Sequence, residues 1–428
     1  MIGKQTITRD LAAAMLAMAA ASMVLGTDLV VPDDHPTIEA AIAASTDGDV
    51  ILVRPGTYRE NLDLSGRNLT LRGLSGASVT FIEPDSGRCL VMSGPAPVGG
   101  GSFLEGFTLI GGEADDGGAI TMRDDALSVT DCVFRANHAT NRGGALYAKF
   151  STITFRDCLF EGNSCDGEGG GLHSSESLTL VERCIFTENS AVGGEGGGVY
   201  LFYADVVMND CLITDNETDE RGGGLYTYKG ELRLSETIAR NNMATSGGGV
   251  FVDKTDAIVN SIIVDGNHAT EHGAGMCWIE NANGSMEHST INDNMTDGEG
   301  GGIWVYNSRP IFSNCQVSDN VANAVGGLYV DSGDPMPTVM KSAFCGNGTD
   351  VSGPYDDGGG NSFEPNCATE CPSDINGDGL VDGADLSVLL ANWGSCATLE
   401  CQGDFDESGI IDGADLSALL GAWGPCGG

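Results

Sequence analysis

Basic residues are scarce in this sequence. Its 428 residues include 20 lysines and arginines against 61 aspartates and glutamates, which gives a formal net charge of −41 at pH 7. A chain this acidic is repelled by nucleic acid and by anionic membrane surfaces. The composition therefore argues against both partners and fits a highly soluble, secreted protein that could bind cations.

Long apolar runs are also missing, except near the N-terminus. There Lys4 and Arg9 precede an apolar run over residues 11–25. This run is too short to span a membrane, and polar chain follows it, so we predict a signal peptide over residues 1–26. We expect no membrane span and a location outside the cell or at its surface. The 14 cysteines then reach an oxidising compartment where disulfides persist.

Helical periodicity is absent from the middle of the chain, where a unit of about 26 residues repeats. A glycine-rich phrase precedes one apolar position in each unit, and an asparagine follows a second apolar residue by three positions. The positions after the glycines are Ile120, Leu146, Leu172, Val199, Leu225, Val250, Met276, Ile303 and Leu328. The asparagines are Asn137, Asn163, Asn189, Asn216, Asn241, Asn267, Asn294, Asn320 and Asn347. This constant pitch indicates internal repetition.

A unit of this length is too short for two helices, but it suits three short strands and three turns. That is one coil of a parallel β-helix, in which matching positions stack about 4.8 Å apart. The glycines permit positive φ angles where the chain bends, and the asparagines form a hydrogen-bonded ladder with no chemical role. We therefore predict an all-β, single-stranded parallel β-helix with three strands per coil.

Two phrases, FRANHATNRGGAL from Phe134 and FTENSAVGGEGGGV from Phe186, resemble the repeats of polymorphic outer-membrane proteins. The resemblance covers about residues 115–350 and implies a right-handed β-helix exposed outside the cell. We accordingly place the β-helix at residues 27–365, with regular repeats over 117–350 and a cap over 27–49.

The segment upstream of the repeats, VPDDHPTIEAAIAASTDGDVILVRPGTYRENLDLSGRNLTLRG, resembles the start of pectin-esterase-like and pectate-lyase-like β-helices. In it Ile38, Ala41 and Ile42 mark an amphipathic helix that would cap the open core. The first coil then starts at Val50.

The catalytic signatures of such enzymes are missing. No G-x-x-D-F-I-F-G phrase, as in pectin esterases, and no N-T-D, G-H-G or R-I-K phrase, as in polygalacturonases, occurs in the sequence. Lyase chemistry needs a basic side chain to remove a proton, and Lys149, Lys229 and Lys254 could serve, the last beside Asp253. We assign no catalytic residue from the sequence, so an enzyme of pectin-like polysaccharides, whether lyase, hydrolase or esterase, stays the alternative.

Aromatic residues gather at alternate positions after the glycines. If Val199 and Leu201 point inward, Tyr200 and Phe202 point outward. The predicted binding face for a glycan or a surface protein consists of Tyr147, Tyr200, Phe202, Tyr226, Tyr228, Phe251, Trp304, Tyr306 and Tyr329. A stacked aromatic strip suits sugar rings or a partner protein, although it could also serve only to stabilise the sheet.

Four cysteines recur in register, each two residues before an apolar position: Cys132, Cys158, Cys184 and Cys211. We expect the column of cysteines and the column of apolar residues to face opposite sides, one toward the core and the other outward. Disulfides between coils are possible at this stacking distance, whereas a tetrahedral metal site is not expected.

The last 63 residues, 366–428, carry a different repeat. DINGDGLVDGADLSVLLANWG and DFDESGIIDGADLSALLGAWG each match a calcium loop followed by a helix. The predicted ligands of two Ca²⁺ ions are Asp374, Asn376, Asp378, Leu380, Asp382 and Asp385 in the first loop, and Asp404, Asp406, Ser408, Ile410, Asp412 and Asp415 in the second. Leu380 and Ile410 would each contribute the backbone carbonyl oxygen, and the other residues their side chains. The pair resembles a type I dockerin, which implies an EF-hand-type helical domain and a cohesin-like receptor.

The residues at loop positions 10 and 11 depart from that resemblance. Gly383-Ala384 and Gly413-Ala414 stand where dockerins often place hydroxylated contact residues. Binding to another receptor, or attachment to the cell surface, is therefore an equal alternative to cohesin binding.

Four cysteines flank the two calcium units. At 1.5 Å per residue, the helix carries Cys396 about 16 Å from its own loop, too far for a bond to Cys371. With the units related by a pseudo-two-fold axis, we predict Cys371–Cys426 and Cys396–Cys401, with Cys367 as a competitor for Cys426. Taken together, the sequence predicts a secreted β-helix that binds a glycan or a surface partner and carries a calcium-dependent docking domain.

Overall fold

The computed structural model of the protein describes residues 26–95, 100–331, 335–367, 373, 375, 380–395, 403–405 and 410–425. The chain divides into two compact units, with the division between Glu364 and Pro365. Among the helices in these ranges, none is long and apolar enough to cross a membrane.

The first unit is a parallel β-solenoid. Its regular coils carry four short strands rather than the predicted three, because the segment between the asparagine and the glycines is also extended. Each strand pairs in parallel with the matching strand of the next coil, which gives four ladders. Ladders 1 and 2 share one sheet, and ladders 3 and 4 form the other two.

Ladder 1 follows the glycines and contains Leu62–Asp63, Leu90–Ser93, Ile120–Arg123, Leu146–Lys149, Leu172–Ser175, Val199–Asn209, Leu225–Ser235, Val250–Asp253, Met276–Ile279, Ile303–Tyr306, Leu328–Val330 and Val351–Ser352. Ladder 2 contains Asp28–Val31, Val50–Val53, Thr70–Gly73, Ser102–Glu105, Ala126–Thr130, Thr152–Arg156, Leu178–Glu182, Asp256–Asn260, Asn283–Glu287, Arg309–Ser313, Thr338–Met340 and Asp356–Gly359. Two strands, Val199–Asn209 and Leu225–Ser235, are eleven residues long and run through both ladders, the first half in ladder 1 and the second half in ladder 2.

Ladder 3 contains Gly56–Arg59, Thr80–Glu83, Thr108–Ile110, Val133–Arg135, Leu159–Glu161, Ile185–Thr187, Leu212–Thr214, Ile238–Arg240, Ile263–Asp265, Thr290–Asn292, Gln316–Ser318, Ala343–Cys345 and Ser362–Glu364. Ladder 4 contains Glu113–Asp116, His138–Arg142, Ser164–Cys165, Ser190–Ala191, Glu217–Thr218, Met243–Ser246, His268–His272 and Met295–Thr296.

Single residues in the left-handed conformation turn the chain from one ladder to the next. In one coil these are Gly143 (φ 64°), Phe150 (φ 53°), Asp157 (φ 54°) and Gly162 (φ 61°). The second glycine of most of these phrases has a different role. A Cβ atom on Gly144 would lie 2.1 Å from the carbonyl oxygen of Gly170 in the next coil, so the backbones could not approach this closely with a side chain there. Ala274 takes the equivalent position in one coil. These two requirements explain the repeated glycine phrase.

The predicted N-terminal cap is present. Helix α1, Ile38–Ala44, begins after Thr37, whose Oγ1 accepts a hydrogen bond of 3.0 Å from the amide of Ala40. Its residues Ile38, Ala41 and Ile42 are buried. Ladder 2 starts one strand earlier than predicted, because Asp28–Val31 pairs with Val50–Val53.

The asparagine ladder is buried and fully bonded. Nδ2 of Asn189 donates to Oδ1 of Asn216 at 2.9 Å and to the carbonyl of Phe160 at 3.0 Å. Its Oδ1 accepts from Nδ2 of Asn163 at 2.9 Å. The prediction that Asn241 belongs to the ladder is wrong. Asn241 is exposed and has a left-handed backbone conformation, and the buried Asn242 takes its place. The step from Asn216 is 26 residues, and the shorter step of 25 comes after Asn242.

The cysteine and apolar columns both face the core. Cys132 and Phe134 are 1% and 0% exposed, so the expectation that they face opposite sides is wrong. Residues two positions apart on an extended chain point to the same side. Cys132, Cys158, Cys184 and Cys211 are free thiols rather than disulfides between coils. Burial raises the pKa of Cys132 to about 12, so this thiol stays protonated.

Two short helices dominate the described part of the second unit. These are α2, Gly383–Ala391, and α3, Gly413–Gly421. Strand Leu380–Val381 pairs antiparallel with Gly424–Pro425, and Gly394–Ser395 pairs with Ile410–Ile411. The loop end of each repeat therefore meets the helix end of the other, which is the pseudo-two-fold packing assumed above.

The disulfide candidates Cys371, Cys396, Cys401 and Cys426 lie outside the described residues. Cys345 and Cys367 are each engaged in a disulfide. The pairing predicted for the four tail cysteines stays a prediction.

The asparagine ladder gives the first testable prediction. Replacing Asn189→Ala removes the acceptor of the backbone N–H and of one side-chain N–H of Asn163, and the side-chain donor to the carbonyl of Phe160, at about 1–3 kcal/mol for each buried group left unpaired. We expect the free energy of unfolding, measured by urea denaturation, to fall by about 3 kcal/mol. The control is Asn241→Gly, which keeps a residue suited to φ 53° and should change stability little. Equal losses in both variants would contradict the ladder's role.

Candidate functional site

The aromatic column of ladder 1 lies outside the main core, but most of it is covered. Tyr200, Tyr226, Phe251 and Cys277 form a separate buried cluster with Ile279. Exposure is 2% for Tyr147, 7% for Tyr200, 4% for Tyr226 and 1% for Phe251. The prediction that these residues form an open strip is therefore wrong, although their outward direction is right.

A row of charged side chains at the end of ladder 4 covers this column. The guanidinium of Arg142 lies 4.4 Å from the ring centre of Tyr147, and that of Arg221 lies 5.5 Å from the ring centre of Phe251. Burial raises the pKa values of Glu168 and Glu195 in the same row. The covering residues come just before the glycine triplets, which fold them back over the strand that follows.

The remaining members of the predicted face are partly open. Phe202, Tyr228, Trp304 and Tyr329 are half-buried, and Tyr306 is 36% exposed. The rings of Trp304 and Tyr306 are parallel, at 5° and 5.8 Å between centres. The ring of His272 stacks on Trp304 at 4.5 Å. These three rings form a face-to-face aromatic stack, which we call the Trp304 platform.

The Trp304 platform forms one wall of a cleft of about 660 Å³. It is lined by Asp219, Glu220, Arg221, Thr245, Ser246, Phe251, Asp253, Lys254, Glu271, His272, Ile279, Glu280, Trp304 and Tyr306. The row of covering side chains has a gap here, because the small Ser246 lies between Arg221 and His272. We call this the Asp253 cleft.

Asp253 is the most buried charged residue of the cleft. It ends its strand in ladder 1, in register with Ile279, which is in turn in register with Tyr306. Its Oδ2 accepts a hydrogen bond of 3.2 Å from the hydroxyl of Tyr226. Its Oδ1 lies 3.6 Å from Nζ of Lys254, an ion pair too long for a hydrogen bond. Burial raises the pKa of Asp253 above its usual range, against the opposing effect of Lys254.

Several buried polar atoms around the cleft lack hydrogen-bond partners within the described ranges. They are Oδ1 of Asp253, Nδ1 of His272 and Nε1 of Trp304. Leaving such an atom unpaired costs about 1–3 kcal/mol, so this set is suited to a ligand that supplies both donors and acceptors.

The three candidate lysines differ in their surroundings. Lys254 lies in the cleft, and Lys149 pairs with Glu176 at 3.3 Å. A hydrogen bond with the hydroxyl of Tyr203 raises the pKa of Lys229. A raised pKa holds the ammonium charged, which disfavours Lys229 as the proton-abstracting base of a lyase.

Sequence reasoning missed the side of the cleft that ladder 4 supplies. Arg221, Glu271 and His272 were not predicted, and neither was Glu280 at the corner after ladder 1. The only signal for the ladder 4 residues is their position just before a glycine triplet. Charged residues occur there in most coils, so the signal does not distinguish this cleft.

Four of the described calcium candidates lie at the starts of α2 and α3. Asp382 and Asp412 cap these helices, and each forms a capping box with the aspartate three residues later. Those aspartates, Asp385 and Asp415, are 0% and 1% exposed. Oδ1 of Asp415 also accepts a hydrogen bond of 2.7 Å from the amide of Phe405.

The other calcium candidates are described only in part. Leu380, Asp404 and Ile410 lie in the described ranges, whereas Asp374, Asn376, Asp378, Asp406 and Ser408 lie outside them. Among described side chains, no group of three metal-ligating residues converges. Buried carboxylates fit a calcium ion by their chemistry, so the two sites stay a prediction.

Comparison with known proteins agrees with this architecture. No curated protein matches the sequence. A catalytic domain of a GH87 alpha-1,3-glucanase in complex with nigerose is similar in structure, with a TM-score of 0.52, 13% identity, and coverage of 80% of this chain and 70% of that one. Another such domain, in complex with tetrasaccharides, has a TM-score of 0.51, 12% identity and the same coverage. The periplasmic alginate epimerase AlgG has a TM-score of 0.40, 13% identity, and coverage of 74% and 76%.

These likenesses concern the fold. The family model described as a right handed beta helix region matches residues 114–277 and 235–368, together more than half of the chain. The chain therefore belongs to the right-handed β-helix family.

Proposed function

We propose that this chain is a secreted protein that acts on carbohydrate and binds a polysaccharide segment in the Asp253 cleft. The observation that carries the proposal is the combination of the Trp304 platform with unpaired buried polar atoms in one cleft. Aromatic faces stack on sugar rings, and the polar atoms can exchange hydrogen bonds with hydroxyl groups. Glucanase catalytic domains of similar fold, in complex with tetrasaccharides and with nigerose, support this assignment.

Removing the platform should weaken binding. We expect Trp304→Ala and Tyr306→Ala each to reduce affinity for a retained glycan by on the order of 1 kcal/mol, about fivefold. A glycan array identifies the ligand, and calorimetry on that ligand measures the change. Tyr226 is unsuitable for this test because it is buried.

The matched control is Phe150→Ala. Phe150 is 45% exposed and does not line the cleft. It should leave the affinity unchanged. If the platform variants bind as tightly as the parent chain, or if Phe150→Ala has the larger effect, the cleft is not the binding site.

Catalysis by the same cleft is the second candidate function. Asp253 is buried with a raised pKa, and Glu280 lines the same cleft. A carboxyl group with a raised pKa can, in its protonated form, donate a proton to a glycosidic oxygen, and a second carboxylate can assist a water or the sugar. The sequence left a polysaccharide-degrading enzyme as the alternative function. We propose this alternative in the form of a hydrolase in which Asp253 is the general acid.

Asp253→Asn separates the two functions. For an enzyme, we expect the variant to bind glycan but to release product at least about 100-fold more slowly. Because the acid must be protonated, product release by the parent chain should fall as pH rises through the raised pKa of Asp253. If the parent chain yields no reducing-end product from any glycan it binds, the cleft only binds.

We further propose that the C-terminal unit is a dockerin-like module that binds two Ca²⁺ ions and docks the protein to a receptor or to the cell surface. The paired repeats, the buried Asp385 and Asp415 and the crossed antiparallel strand pairs support it. The bound ions would offset the carboxylate charges and make folding of the unit depend on calcium.

Calcium titration of the full chain tests this module. We expect calorimetry to show about two ions bound, from the loop count, and a version ending at Glu364 to bind neither. Calcium should also add helical circular dichroism to the chelated full chain. The same titration curve in both versions would place any bound calcium outside the C-terminal unit.

A further inference from the structure

Carboxylates dominate the Asp253 cleft. Asp219, Glu220, Asp253, Glu271 and Glu280 line it, against two basic side chains, Arg221 and Lys254. The net charge of −41 for the whole chain has the same sign. A cleft lined mainly by one sign of charge raises the local concentration of ligands of the opposite sign.

The two bases offset only part of this charge. Lys254 pairs with Asp253 at 3.6 Å, and the Arg221 guanidinium lies over the face of Phe251. Within the described ranges, neither Glu271 nor Glu280 forms an ion pair. The cleft therefore keeps several carboxylates for a bound molecule.

Asp253 adds a buried point of contact. The residue is 5% exposed, its Oδ1 accepts no hydrogen bond in the described structure, and it lines the cleft that the Trp304 platform borders. Lys254 lies beside this oxygen without donating a hydrogen bond, so a ligand can supply the missing donor. An ammonium group carries such N–H donors, and a charge-assisted hydrogen bond is about twice as strong as a neutral one. The aromatic faces also attract a cation.

We propose that the cleft selects polysaccharides that carry free, protonated amino groups, that is, hexosamine polymers whose amines are not acylated. The selection rests on the proposed glycan binding and names its substrate class. A sugar ring packs against the Trp304 platform while the ammonium of that sugar or its neighbour meets Asp253 and Glu280. Uronic acid polymers bring carboxylates into an acidic cleft and are rejected by like-charge repulsion.

Two oligosaccharides that differ only in acylation test the proposal. The probes are β-1,4-linked hexamers of glucosamine and of N-acetylglucosamine, titrated into the full chain by calorimetry in mildly acidic buffer, which favours the protonated amine. We expect the glucosamine hexamer to bind at least about tenfold more tightly at low salt, and the ratio to shrink as added salt screens the charges. A galacturonic acid hexamer should not bind.

Glu280→Gln should lower the ratio between the two hexamers several-fold, whereas Glu188→Gln, at an exposed position that does not line the cleft, should not. Equal or tighter binding of the acetylated hexamer overturns the selection for amines. Binding of the galacturonic acid hexamer, or of neutral glycans alone, also overturns it but leaves glycan binding by the cleft intact. If no glycan of any class binds, the proposed function fails as well.

Discussion

Hydrogen bonds between successive coils impose one repeat length on the whole β-solenoid. Every ladder strand must find its partner one coil away, so the four corners of each coil have little freedom in length. Single left-handed residues make these corners, and the glycine after the fourth corner allows backbones of neighbouring coils to touch. The asparagine ladder then ties the corner between ladders 3 and 4 to its neighbours, because each side chain bonds to two coils.

The features that repeat in every coil could be predicted from the sequence. Gly144 and Asn189 recur because close backbone approach and side-chain hydrogen bonds to neighbouring coils favour these residue types there, and such positions stand out by their regular spacing. Asn241 was predicted wrongly because an adjacent asparagine allowed either of two registers, and only the strand pairing selects Asn242. Alternation correctly placed Tyr200 outside the core, but it could not show that the end of ladder 4 covers that residue.

The candidate site depends on departures from the repeat, which is why sequence reasoning found only part of it. Most coils place a long charged side chain over the aromatic column, whereas Ser246 is short and leaves Phe251 and Asp253 facing a cleft. Cys277 similarly replaces an aromatic ring between Phe251 and Trp304. Small residues at these positions give no recognisable signal in the sequence, because they open the cleft only by leaving neighbouring side chains uncovered.

A crystal structure of the full chain with a bound oligosaccharide tests the assignment of the Asp253 cleft most directly. We expect a sugar ring to pack against the Trp304 platform, with a donor group of the sugar within hydrogen-bonding distance of Oδ1 of Asp253. An oligosaccharide bound elsewhere on the solenoid, with the cleft containing only solvent, would contradict the assignment.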